Sequence, residues 1–243
     1  MSAPDQQRFE SAQSGIGRMR LNAKAEARWL AWSLMVRSRS AFKRFFDLVL
    51  AIILLILASP IFLLLALFIK RDRGPVFFKQ IRTGLLGKEF QMFKFRSMRI
   101  DAEERLHELL SQNEKSDGVT FKLENDPRVT TVGRFIRRCS LDELPQLINV
   151  IKGEMSLVGP RPPVRREVAL YSQLDRHRFY VKPGITCLWQ VGERKGKFWE
   201  IGNRNEIDFT EQVELDVRYI ENRSFLKDLW ILVKTIPALL FGK

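Results

Sequence analysis

The sequence predicts a mixed α/β fold, a small basic cytosolic domain of short strands and amphipathic helices, anchored by a Pro-broken re-entrant membrane helix. Three observations predict it. Leu48 to Ile69 carries no charge, and a straight helix of that length would reach ~30 Å, the thickness of a bilayer's hydrocarbon core. Both flanks of that run are basic, with Arg37, Arg39, Lys43 and Arg44 before it and Lys70, Arg71 and Arg73 after it. Beyond it, short runs rich in Phe and Val alternate with stretches of helical periodicity.

The elements divide the chain at 1–41, 42–73 and 74–243. Residues 1–20 are rich in Ser, Gln and Gly and read as a tail. Leu21, Ala25, Trp29, Trp32 and Val36 then recur at helical spacing among basic residues, which suits a helix lying in the headgroup layer or one packed on the domain. The apolar run begins too late and runs too long for a signal peptide. At its midpoint Pro60 removes a backbone donor and clashes with the carbonyl of Ile56. The Ser59 hydroxyl is placed to satisfy a carbonyl freed there. Lys/Arg-rich flanks stay on the cytoplasmic side. A single kinked span satisfies only one of them, whereas a helix broken at Ser59-Pro60 enters and leaves on one face.

Downstream, Pro75–Gln80 and Phe90–Arg96 read as two strands joined by a turn at Thr83–Gly87. Asp101–Lys115 reads as an amphipathic helix with its acidic residues favouring the N-terminus, and 112–127 as polar loop. Val132–Arg138 is a helix that turns Phe135 and Ile136 inward and groups Arg134, Arg137 and Arg138 on one face. Phe225–Phe241 is strongly apolar, with Ser224 as N-cap, and fits either an interfacial or a core helix.

Composition narrows the function. A 45% hydrophobic content with 18 Phe excludes a disordered or collagen-like chain. Two cysteines, Cys139 and Cys187, exclude a disulfide scaffold, and two histidines argue against a Cys/His zinc site. With 41 Lys+Arg against 28 Asp+Glu, the net charge of +13 calls for an anionic partner. No standard nucleic-acid motif is present. Gly192–Lys197 is one residue short of a P-loop and lacks its Ser/Thr.

The informative stretch is Arg137-Arg138-Cys139-Ser140-Leu141-Asp142-Glu143-Leu144-Pro145-Gln146-Leu147. Ser140 and Glu143 have the spacing of a capping box. Pro145 would then cost a backbone hydrogen bond, a cost avoided if the helix starts at Asp142. In that arrangement two carboxylates stand at a helix N-terminus just after two arginines. Basic groups and acidic residues able to hold Mg²⁺ are what phosphoryl transfer needs. Further on, Gly159-Pro160-Arg161-Pro162-Pro163 clamps an arginine between prolines, a rigidity suited to holding a guanidinium against phosphate.

These motifs resemble the monotopic phosphoglycosyl transferases, the bacterial sugar transferases that act on polyprenyl phosphate. The resemblance runs from Phe42 to Phe241. It takes in Lys43-Arg44 with Asp47, the Ser59-Pro60 pair, Lys94–Met98 (KFRSM), Asp126–Thr130 (DPRVT) and Ser140–Leu147. It continues through Asn149–Pro162, Lys182–Thr186 (KPGIT) and Glu214–Ile220. The resemblance implies transfer of sugar-1-phosphate from a UDP-sugar to undecaprenyl phosphate, with release of UMP. It implies Asp142 as a nucleophile that forms a covalent phosphosugar intermediate, and Glu143 as a ligand of Mg²⁺. It implies Arg137, Arg161, Lys94 and Arg96 at the phosphates, and Ser59-Pro60 as the re-entrant break.

By the same resemblance the enzyme sits at the bacterial inner membrane against anionic lipids, its site on the cytoplasmic face, at the first membrane step of exopolysaccharide, capsule or O-antigen assembly. Homo-oligomerisation stays open, and nucleic acid is not a partner. Cys187–Val191 has the form of exopolysaccharide-type members, and Gly192–Gly202 reads as an insertion. These stretches are expected to touch the sugar, a hexose such as galactose or glucose. Two other classes compete: a non-enzymatic scaffold on anionic lipid, and a nucleic-acid-binding protein. Neither accounts for the Asp142-Glu143 and Arg161 motifs.

Overall fold

The computed structural model describes residues 15–71, 73–102, 126–195, 198–200 and 207–241, with 104, 105, 109, 119 and 123 besides. Two compact units divide between Phe46 and Asp47. In the first, the chain from Gly15 is helical; its first fourteen residues lie outside the described ones.

Helix α1 (Gly15–Lys70) is uninterrupted through Pro60. This differs from the expected break, and a hydrogen bond shows why helix can persist. Ser59 Oγ donates to the Ile56 carbonyl at 2.7 Å, the acceptor that Pro60 cannot serve. Ser40–Lys70 is long and apolar enough to cross a membrane, with a mean hydropathy of 3.1 over its most apolar window and only 11% of that window buried. Exposed Ile53, Ile56, Leu57, Leu63 and Leu67 would each be costly in water.

Within the second unit, β1 (Phe77–Thr83) pairs antiparallel with β2 (Glu89–Phe95), Phe77 opposite Phe95 and Thr83 opposite Glu89. Leu86 and Gly87 take positive φ (54° and 76°) to close the turn. Asn149, fully buried, extends β2: its amide donates to Gln91 O (2.6 Å) and its oxygen accepts from Phe93 N (2.9 Å). This docks α3 (Gln146–Lys152) on the hairpin.

Helix α2 (Thr131–Arg138) is capped by Thr130, whose hydroxyl accepts from Gly133 N at 2.9 Å. A Cβ at Gly133 would stand 1.8 Å from the Ser97 carbonyl, so only glycine lets α2 approach there. Ile136 is buried as expected, but Phe135 is 60% exposed rather than inward. The helical period puts Val132, not Phe135, on the face of Ile136, in the small core with Leu65, Ile69 and Phe95 on which Leu141 and Leu144 also pack.

The short strands β3 (Ser156–Val158) and β4 (Gly184–Thr186) pair in parallel. Gly159 and Gly184 follow and begin them at backbone contact, where a Cβ on Gly184 would meet Gly159 N at 2.1 Å. Between these strands lies α4 (Arg165–Ala169). An antiparallel hairpin of β5 (Glu193–Lys195) and β6 (Phe198–Glu200) occupies the expected insertion.

Helix α5 (Phe209–Glu221) is capped by Asp208, and α6 (Phe225–Phe241) by Ser224, whose hydroxyl accepts from Lys227 N at 3.2 Å. Tyr219 ties the two helices together: its hydroxyl donates to Asp228 Oδ1 (2.7 Å) and lies 3.2 Å from the Val158 carbonyl. Asp47 of α1 accepts from Ser156 Oγ (2.7 Å) and Leu157 N (3.3 Å), fixing the start of the apolar helix to β3.

The helix expected over Asp101–Lys115 and the loop over 112–127 fall mostly outside the described residues; Asp101, Ala102, Glu104 and Arg105 are in turns.

Candidate active site

The segment Ser140–Gln146 determines where the carboxylates stand. Ser140 adopts a left-handed conformation (φ 51°, ψ 22°) and its side chain caps nothing. A tight 3-10 turn then covers Leu141–Glu143, and α3 begins only after Pro145. The capping box is therefore not formed. Pro145, with no N–H to lose, sits where the helix needs no donor. A left-handed non-glycine residue costs roughly 1 kcal/mol or more, and here it turns Asp142 inward.

Asp142 is 7% exposed. Lys94 Nζ stands 2.7 Å from Glu143 Oε1 and 4.0 Å from Asp142 Oδ2, so one cation from β2 serves both carboxylates. Burial pushes the Asp142 carboxyl above its ordinary value; Lys94 opposes this, Glu143 adds to it, and Arg137 opposes it.

These groups open onto a cavity of about 890 Å³. Its charged end is formed by Lys94, Arg137, Asp142, Glu143 and Arg161. Its apolar walls come from Leu50, Leu54, Leu57 and Ile61 of α1, and Val233 and Ile236 of α6. Five expected site residues thus meet in one place.

Arg96 does not join them. Buried, it donates through Nε to Pro75 O (2.6 Å) and through a terminal nitrogen to Ile69 O (3.1 Å). It satisfies a carbonyl at the C-terminus of α1, which corrects its expected place at a phosphate. Ser59 and Pro60 do not line the cavity, although neighbouring Ala58 and Ile61 do.

Sequence reasoning did not find Arg82. It lies buried behind Arg161, in a small chamber of about 50 Å³ that it shares with Lys94, Glu143 and Gln146. Its guanidinium donates to Pro162 O (2.9 Å), and Thr83 N donates to Pro163 O (3.0 Å), so the end of β1 holds the proline-clamped loop. Burial, then the nearby Arg161 charge, lowers the Arg82 pKa to about 10. Arg161 is steadied from the other side by Glu167, 3.8 Å away.

A buried ion pair backs the cavity. Arg178 and Asp216 meet at 2.6 Å, with Asp216 fully buried, and Arg178 also donates to Tyr171 Oη (3.0 Å). Burial pushes the Asp216 carboxyl up to about 6 against the pull of Arg178.

Among the described residues no cluster of three or more His, Cys, Asp or Glu is placed to hold a metal. Adjacent Asp142 and Glu143 nevertheless form a hard-oxygen pair of the kind that holds Mg²⁺ together with substrate phosphates and water.

Buried Asp142 and half-buried Glu143 thus face basic groups at the head of a cavity walled by an apolar helix. The Bacterial sugar transferase family model matches residues 38–242, and the chain belongs to that family. It is 45% identical over 200 residues to the Galactosyl transferase CpsE of Streptococcus agalactiae serotype III (strain NEM316), covering 82% of this chain and 42% of that protein. It is 44% identical over 211 residues to the Undecaprenyl-phosphate galactose phosphotransferase of Salmonella typhimurium (strain LT2), covering 86% and 42%. With the Exopolysaccharide production protein ExoY of Sinorhizobium fredii (strain NBRC 101917 / NGR234) it shares 42% identity over 205 residues, covering 83% of this chain and 86% of that one. The chain thus spans about two fifths of the first two relatives and most of the third.

Proposed function

We propose that this chain transfers a hexose-1-phosphate from a UDP-hexose to undecaprenyl phosphate and releases UMP, at the initiating step of an exopolysaccharide or capsule. The amphipathic cavity carries this reading: its charged head suits a pyrophosphate and its apolar walls suit a polyprenyl chain. The names of the CpsE and Salmonella relatives favour galactose.

Arg137, Arg161 and Lys94 bind and orient the phosphates. The Asp142 carboxylate attacks the sugar-linked phosphorus. As that O–P bond forms, the bond from phosphorus to the bridging oxygen breaks and UMP leaves with its electron pair. A lipid phosphate oxygen then attacks the same phosphorus and expels Asp142, which regains its charge. Two displacements let a water-soluble donor and a buried acceptor use one site in turn. Glu143, beside Asp142, would hold Mg²⁺, which when bound supplies neutralisation of phosphate charge.

On this reading the apolar helix enters and leaves the bilayer on the cytoplasmic side by bending at Pro60 without losing its helical winding, which keeps both basic flanks there. That places the carboxylates at headgroup depth, and the basic surface beside anionic lipids.

UMP release from a panel of nucleotide sugars, with undecaprenyl phosphate in detergent, tests the reading. UDP-galactose or UDP-glucose should give UMP only when the lipid or a stoichiometric amount of enzyme is present. Vesicle binding without UMP from any donor would favour the scaffold instead.

A further inference from the structure

The polar lining of the large cavity divides by chemistry. One group is charged and suits phosphates. The other is neutral: Gln190, Gln212, Thr186 and Thr235, with the Trp189 ring among them, and Ser140 ahead of the carboxylates. Neutral amides beside an aromatic face suit uncharged hydroxyls, not phosphate.

The two glutamines have fixed polarity. Gln190 closes the turn Leu188–Gln190, its Oε1 accepting from Cys187 N at 3.2 Å. The atom taken there must be the oxygen, so the NH₂ remains as donor. Gln212, on α5, donates through Nε2 to Ile207 O at 3.2 Å, so its oxygen remains as acceptor. Gln212 is 5% exposed. Among the described residues its oxygen takes no hydrogen bond, and because Gln212 lines the cavity that acceptor is open to a ligand there. Thr235 donates to the Ile231 carbonyl at 2.8 Å and accepts from Thr186 at 2.8 Å, so neither hydroxyl has a proton left to donate.

The wall is held from behind. One turn along α5 from Gln212, Asp216 pairs with Arg178 at 2.6 Å. Both glutamines are therefore set on packed elements before a ligand arrives.

Resting on the transferase reading, we propose that Gln190 and Gln212 are specificity-determining residues that recognise the hexose hydroxyls of the donor, Gln190 by donating and Gln212 by accepting. Losing one such bond should cost about tenfold in donor KM, and epimers that differ at the recognised hydroxyl should no longer be distinguished.

The test compares wild type, Gln190→Glu, Gln190→Met and Gln212→Met in detergent with undecaprenyl phosphate. Gln190→Glu keeps the oxygen that accepts from Cys187 and removes the donor but adds a negative charge. Gln190→Met, which removes the donor without a charge, is therefore measured beside it and supplies the UMP comparison. For each protein, KM and kcat/KM are measured with UDP-galactose and UDP-glucose, and inhibition with UMP, which has no sugar. The expected result is about a tenfold rise in KM for the preferred donor and about a tenfold change in the galactose-to-glucose ratio, with the UMP inhibition constant of the two Met variants held within twofold. An unchanged ratio in all variants, or a parallel loss of UMP binding in the Met variants, would overturn the assignment. Wild type that releases no UMP from any donor would instead overturn the transferase reading, and this one with it.

Discussion

Ser140 is the residue on which the capping and catalytic accounts of the motif separate. A capping serine loses about 1 kcal/mol on truncation, yet here its hydroxyl makes no cap bond and its backbone is left-handed. Ser140→Ala should therefore change stability by less than about 0.5 kcal/mol, and Ser140→Gly should raise the thermal midpoint by relieving φ strain. Thermal unfolding in detergent reads both, and a clear loss in Ser140→Ala would restore the cap. The S-x-x-E spacing was legible in the sequence, but its conformation was not. Spacing says which groups can meet, while the backbone at Ser140 follows from packing Leu141 and Leu144 against Ile136. Arg96 is the matching case. Its place in KFRSM two residues from Lys94 suggested a phosphate ligand, since strand alternation would put both on one face, but β2 ends at Phe95 and Arg96 lies beyond it. Lys94 meets the carboxylates and Arg96 meets the end of α1.

At the scale of elements, the Arg178–Asp216 pair joins the segment after α4 to α5 behind the cavity. Asp216→Leu would leave a guanidinium buried without its partner, a change that costs roughly 3–5 kcal/mol. Replacing both, as Arg178→Met with Asp216→Leu, should return most of that stability because neither charge remains to be desolvated. Denaturation midpoints of the two single variants and the double variant form the cycle, and strict additivity would show that the pair is not coupled. The hairpin of β1 and β2, the helix α2 and the helix α6 were readable from periodicity and turn residues. The parallel pair of β3 and β4 was not. Three-residue strands carry no period, and their pairing depends on Gly159 and Gly184 meeting across the chain. Gln212 escaped notice for a like reason: one amide on an amphipathic helix has no signature until the cavity beside it is seen.

For the molecule as a whole, the question is how the apolar helix sits in the bilayer. Single cysteines at Ser40 and Arg73, in a chain whose exposed Cys139 has been replaced, should both react only with reagent added from the cytoplasmic side. Pro60→Leu restores the missing N–H and removes the clash, and should shift the reagent accessible to one end towards the opposite side. Labelling of the unmodified segment from both sides would establish a simple span. Membrane association itself was readable from the uncharged run, and the cavity shows a further use of it: the same helix that carries the exposed apolar surface also forms a wall beside the carboxylates.

The central claim is that Asp142 carries the sugar phosphate between donor and lipid. Wild-type protein incubated with UDP-galactose and Mg²⁺, without lipid acceptor, should be digested and its peptides weighed. The mass of a hexose phosphate should appear on the peptide containing Asp142, and disappear when undecaprenyl phosphate is added. Asp142→Asn, folded but without an attacking carboxylate, should show neither adduct nor UMP release. An Asp142→Asn protein that turns over at the wild-type rate, or an adduct found on another residue, would contradict the account.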